Sequence, residues 1–110
     1  MDISFATSKM QKLCNSAKKL RGEFGDRMAD VIQTRLADLA AAGCLEDMRF
    51  LPGRCHELTG NLAGKLAVDL VHPDRLAFEP NHDPKPTKPD GGLDWKGVTK
   101  ITVLAIGDYH

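Results

Sequence analysis

Residues 54–79 read RCHELTGNLAGKLAVDLVHPDRLAFE, and the fold turns on this stretch. Leu66, Val68 and Leu70 alternate with Lys65, Ala67 and Asp69, the period-two pattern of a half-buried strand. After His72-Pro73-Asp74, a turn signal, Leu76 and Phe78 alternate with Arg75, Ala77 and Glu79. The two runs predict a β-hairpin whose outer face carries Lys65 and Arg75, with His56 just upstream. Three polar groups near one surface make this the first candidate for function.

Upstream, Ile3 and Phe5 flank Ser4, which predicts a short first strand. Thr7 or Ser8 can cap a helix whose stripe is Met10, Leu13, Cys14, Ala17 and Leu20, ending near Gly22. Asp26 can cap a second helix with Met28, Val31, Ile32, Leu36, Leu39 and Ala40 inward, stopped by Gly43. These helices form an antiparallel hairpin that needs a sheet to cover its apolar stripe. Leu45 to Pro52 reads as a connector with one helical turn near Glu46.

Downstream, four of the six prolines and Gly91, Gly92 and Gly97 fall within residues 80–97, which predicts a long surface loop. Trp95 is placed to pin its far end. Thr99 to Ile106 has apolar residues on both faces, Ile101, Val103 and Ala105 against Leu104 and Ile106, as suits an interior strand. The expected fold is one α+β domain over residues 1–110, a helix hairpin packed on a small antiparallel sheet.

Charge and composition narrow the function. Fifteen basic and fifteen acidic residues cancel, which disfavours nucleic-acid binding by bulk charge. The first 22 residues are locally basic, with Lys9, Lys12, Lys18, Lys19 and Arg21 against Asp2. No apolar run approaches the roughly 20 residues of a membrane helix. The N-terminus lacks a basic region followed by an apolar one, so no secretory signal is expected. Cys14, Cys44 and Cys55 are odd in number and lack Cys-x-x-Cys spacing, as expected of reduced thiols in the cytoplasm.

Three constellations can carry chemistry. His56, Asp108 and His110 can serve acid–base catalysis, with Lys65 and Arg75 holding a negative charge. Cleavage of a phosphodiester by its neighbouring 2′-hydroxyl needs these groups: a base, an acid and cations for the phosphate, with no metal or cofactor. Imidazole suits the proton transfers. A metal site from Asp108, His110 and His82 or His72 lacks zinc-like spacing. Thiol chemistry at Cys55 is disfavoured because adjacent strand residues, here Cys55 and His56, point to opposite faces.

The runs Cys55–Gly60, Gly64–Leu70 and Arg75–Pro80, with the final Asp108-Tyr109-His110, resemble HigB-type killer proteins. These are toxins of the RelE/ParE superfamily in bacterial type II toxin–antitoxin modules. The resemblance spans nearly the whole chain and implies a ribosome-dependent mRNA endoribonuclease, cytoplasmic and neutralised by a helix-turn-helix antitoxin. It implies His56 as an acid or base and Arg75 as the phosphate-stabilising cation. It implies Asp108, Tyr109 and His110 as the C-terminal cluster, Tyr109 orienting or stacking on a base and His110 moving a proton. Lys65 and Arg54 are the RNA-binding cations in this reading. The chain departs from the pattern at Thr59, where relatives commonly carry Lys, and in the uncharged Asn61-Leu62-Ala63. A ParE-like toxin that poisons gyrase by binding, or a non-catalytic partner-binding module of the same fold, remains open.

Overall fold

The computed structural model describes residues 1–108. Strand β1 (Asp2–Phe5) leads into three helices, α1 (Ser8–Cys14), α2 (Ala17–Phe24) and α3 (Asp26–Ala41). A 3₁₀ turn over Leu45–Phe50 then precedes β2 (His56–Glu57), β3 (Leu66–Asp69), β4 (Arg75–Pro80) and β5 (Lys100–Gly107). The strands form one sheet in the order β1-β5-β4-β3-β2. The mixed α+β fold agrees with the expectation, with one correction to the sheet. β1 runs parallel to β5 while the other pairs are antiparallel. A parallel pair needs a long crossover, and the helices and hairpin between the two strands provide it.

The first helix is also not single. At Ser16 the side chain accepts from the Lys19 amide at 3.2 Å and starts α2 afresh, while the Asn15 amide closes α1 on Gln11. Short polar side chains compete for the backbone in this way, and here the competition wins inside an otherwise continuous apolar stripe. Gly22 lies within α2. Gly25, at φ 83°, joins α2 to α3 and takes the cap expected of Asp26. Asp26 is instead the first helical residue, where a carboxylate suits the positive end of the helix. Met28, Ala29, Ile32 and Leu39 are buried, but Ala40 faces solvent.

These side chains meet Leu66, Val68, Leu76, Phe78, Ile101 and Val103 in one core on one face of the sheet. The two-sided pattern of β5 resolves through a bulge. Ala77 pairs with Ala105 and Phe78 with Val103, so Leu104 is the extra residue. Beyond it the side chains change face, which lets Ile101, Val103 and Ile106 all reach the core while Ala105 joins Ala77 outside.

The loop after β4 is more ordered than its prolines imply. Thr87 and Leu93 form an isolated bridge, and the Asp94 amide donates to Pro86. Trp95 anchors its end as expected: the ring is buried, Nε1 donates to Glu57 at 3.2 Å, and the Arg49 guanidinium lies 3.8 Å from the ring centroid. His82 Nε2 accepts from the Thr99 amide at 3.1 Å.

Candidate functional site

Residues directly opposite one another across paired strands share a face. His56, Ala67, Ala77 and Ala105 therefore form a row on the face away from the helices. The row beside it is Asp69, Arg75 and Gly107; on its other side Glu79, Thr102 and Ser4 line up, with Ser4 and Thr102 hydroxyls 2.9 Å apart. The alternation places Ala67 and Ala77 on the outer face. They are outward, yet only 0% and 4% accessible. The result is a row of small, covered side chains with polar groups at its borders.

His56 stands at one border. Pro52-Gly53-Arg54 turns the chain sharply there, with Gly53 at φ 109° and Arg54 at φ 47°. The turn lets the Gly53 carbonyl accept from the Asp69 amide at 2.7 Å and brings the Arg54 carbonyl 2.7 Å from His56 Nδ1. A carbonyl only accepts, so Nδ1 carries a proton, and in the neutral form of the ring Nε2 is the nitrogen that can act as a base. From α3, Arg35 Nε donates to the Asp69 carbonyl at 2.9 Å and lies against Gly53; a Cβ there would come within 2.6 Å of Arg35 Nε.

Asp69 is the junction of the cations. Arg54 Nε and Nη2 donate to its Oδ2 and Oδ1 at 2.9 and 3.4 Å, and Arg75 Nε lies 3.3 Å from Oδ1. Partial burial by itself would raise the Asp69 carboxyl, but the hydrogen bond and charge of Arg54, then the charges of Arg75 and His56, hold it below the usual carboxylate range. The same hydrogen bond and charge raise Arg54. A cleft of about 200 Å³ opens here, lined by both arginines, Asp69, Asp74 and the His72-Pro73 turn. Two arginines face two aspartates there, so the cleft carries no net charge.

Of the residues singled out from sequence, His56, Arg54 and Arg75 share this region. Asp108 directly follows Gly107, the residue in register with Arg75, and is exposed. Tyr109 and His110 lie outside the described residues. Lys65 is separate: it precedes β3, about 13 Å along the strand from Asp69 at ~3.3 Å per residue. Asp69 and Arg35 were missed. Asp69 and Arg75 face each other across the hairpin turn with opposite charges, a cross-strand signal that periodicity alone does not register.

The metal constellation depends on His110, which lies outside the described residues. The bond from the Thr99 amide occupies His82 Nε2, and among the described residues no three His, Cys, Asp or Glu side chains gather as a metal site. Burial pushes the Cys55 thiol up to about 12, with Glu57 adding to it and Arg49 opposing, so it stays protonated. Among the described residues no helix is long and apolar enough to cross a membrane.

No family model matches the chain, and no curated protein matches its sequence. Solved structures do match its shape. A YoeB/ParE toxin from Agrobacterium tumefaciens superposes with a TM-score of 0.59 at 12% identity, covering all of both chains. A YoeB–YefM complex from Staphylococcus aureus gives 0.58 at 16% identity, over all of this chain and 97% of the other. A YoeB dimer from Staphylococcus aureus gives 0.55 at 19% with the same coverage. The fold is that of the YoeB/ParE toxins.

Proposed function

We propose that this chain is the toxin of a type II toxin–antitoxin module of the RelE/ParE superfamily and that it cleaves mRNA on the ribosome. The observation that carries the reading is the His56 ring, fixed by the Arg54 carbonyl with Nε2 left to accept a proton, on the sheet face that holds Arg75. The fold shared with YoeB toxins supports the class. One of those structures is a complex of YoeB with YefM, which supports an antitoxin as partner here too.

In this reading an unpaired mRNA segment lies along the polar groups that border this sheet face, His56 on one side and Arg75 on the other. His56 Nε2 removes the 2′-hydroxyl proton, the 2′-oxygen attacks the adjacent phosphorus, and the bond to the 5′-oxygen breaks. The products are a 2′,3′-cyclic phosphate and a 5′-hydroxyl, and the leaving oxygen takes a proton from an acid, the role the HigB-type resemblance gives to His110. Arg75, steadied by Asp69, stabilises the charge that grows on the phosphoryl oxygens. Arg54 and, at the far border, Lys65 guide the backbone of the strand.

Expression without a partner tests the class. Growth arrest with new mRNA 5′ ends in translated codons is expected. Growth arrest with intact transcripts and trapped gyrase points to the binding toxin, and unimpaired growth to a non-catalytic module.

A further inference from the structure

Across the sheet from His56, a cleft of about 440 Å³ runs between α1 and α2. It exists because the chain breaks at Asn15–Ser16. Ser8, Lys9, Lys12 and Leu13 form one wall, at the i, i+3 and i+4 spacing of a single helix face, and Lys19 and Glu23 form the other. Leu13 is half-buried and continuous with the core, so the floor is apolar. The rim is cationic. Residues 7–24 carry five lysines and arginines against Glu23, leaving ten basic and fourteen acidic residues in the rest of the chain. Arg21 turns to Asp26 and Asp30, while Lys9, Lys12, Lys18 and Lys19 have no carboxylate within 4 Å among the described residues.

We propose that this cleft docks an acidic peptide segment of a partner protein, seating one apolar side chain on Leu13 and carboxylates among Lys9, Lys12 and Lys19. The inference rests on the partner half of the function above and names the surface that partner uses. Charge complementarity selects the acidic character, since four uncompensated lysines stand on an otherwise acidic molecule. The apolar floor selects a peptide over RNA. The cleft wall has no aromatic ring or guanidinium on which a base can stack, and a phosphate backbone gains nothing from Leu13. An amphipathic segment uses both features at once.

The test uses the whole protein and three probes: a 12-residue peptide of glutamates around a central leucine, the same peptide with glycine for leucine, and a 12-nucleotide oligouridylate. Amide chemical shifts report where each binds. The leucine peptide is expected to shift signals of α1 and α2, at least fivefold more tightly than the glycine peptide. The K9E/K12E/K19E variant, altered only at exposed positions, should keep its circular dichroism and Tm and lose at least tenfold in affinity. Equal affinity of the two peptides, stronger shifts of the same signals by oligouridylate, or no shift in α1 and α2 would each overturn the proposal. If the peptide fails while the wild-type protein still cleaves mRNA, the docking site falls and the function stands.

Discussion

Arg54 and Asp69 are joined by two hydrogen bonds, 2.9 Å from Nε and 3.4 Å from Nη2, across the turn that also fixes the His56 ring. Asp69 shares its Oδ1 with Arg75. One carboxylate therefore both aligns and partly neutralises the guanidinium groups of Arg54 and Arg75. Those two effects predict opposite signs for binding and catalysis.

Asp69→Asn separates them. Without the carboxylate one compensating negative charge is gone beside the arginines, so binding tightens several-fold and its salt dependence steepens. Arg75 loses one of the contacts that orient it at the same time, so the rate of cleavage falls about tenfold. Filter binding and single-turnover cleavage on the same preparations check the split. A parallel fall in both would contradict it.

The same carboxylate makes a pH-dependent contribution to stability. Its folded value lies below its unfolded one. The contribution is therefore complete above the ordinary carboxylate range, about 3.9, and is lost as pH falls through the lowered folded value. Asp69 is about one-third exposed, so solvent screening limits the effect to about 0.5–1 kcal/mol. The Tm difference between wild type and Asp69→Asn should be about 2–6 °C at pH 6. It should shrink below pH 4; a constant difference down to pH 2.5 refutes the assignment.

Gly53→Ala should cost more than its single methyl suggests. The residue sits at φ 109°, and the added Cβ would approach Arg35 Nε to 2.6 Å. Backbone strain costs about 1–2 kcal/mol, and Arg35 must give up its bond to the Asp69 carbonyl, so Tm should fall by about 5–10 °C. A thermal melt checks this. A Tm within 1 °C of wild type would show that the turn is not under the constraint described.

Trp95→Ala should detach the long loop and open the core beneath it. Loss of a buried tryptophan costs about 3–5 kcal/mol, while Glu57→Gln, which keeps an acceptor for Nε1, should cost under about 1 kcal/mol. Urea unfolding gives both values. Equal losses would mean that charge at residue 57, not burial of the indole, holds the loop.

Much of this architecture is legible in the chain because its signals are local. Leu66, Val68, Leu76 and Phe78 reveal their strands by period, and Met28, Ile32 and Leu39 reveal their helix in the same way. What escapes is decided by geometry that composition does not record. The stripe through Leu13, Ala17 and Leu20 is continuous, so the break made by the Asn15 and Ser16 caps is invisible to periodicity. The bulge at Leu104 flips the strand without leaving an unusual residue behind. Strand β1 pairs with β5 across nearly the whole chain, and nothing in Ile3-Ser4-Phe5 announces the partner. Among the site residues, His56 is visible as a residue type, whereas the Arg54 carbonyl that sets its tautomer and the Asp69 carboxylate that gathers the arginines depend on a left-handed turn. Gly53 hints at that turn; Arg54 at φ 47° completes it against its own preference.

The most direct test of the central claim is cleavage by purified protein on programmed ribosomes, read by mapping mRNA ends. The account predicts cuts within A-site codons that leave a 2′,3′-cyclic phosphate and a 5′-hydroxyl. It predicts a rate 10²- to 10⁴-fold lower for His56→Ala, the range set by general base catalysis, and a comparable loss for Arg75→Ala with the fold retained by circular dichroism. Cleavage at the wild-type rate in both variants, or 3′-hydroxyl ends from the wild type, would contradict it.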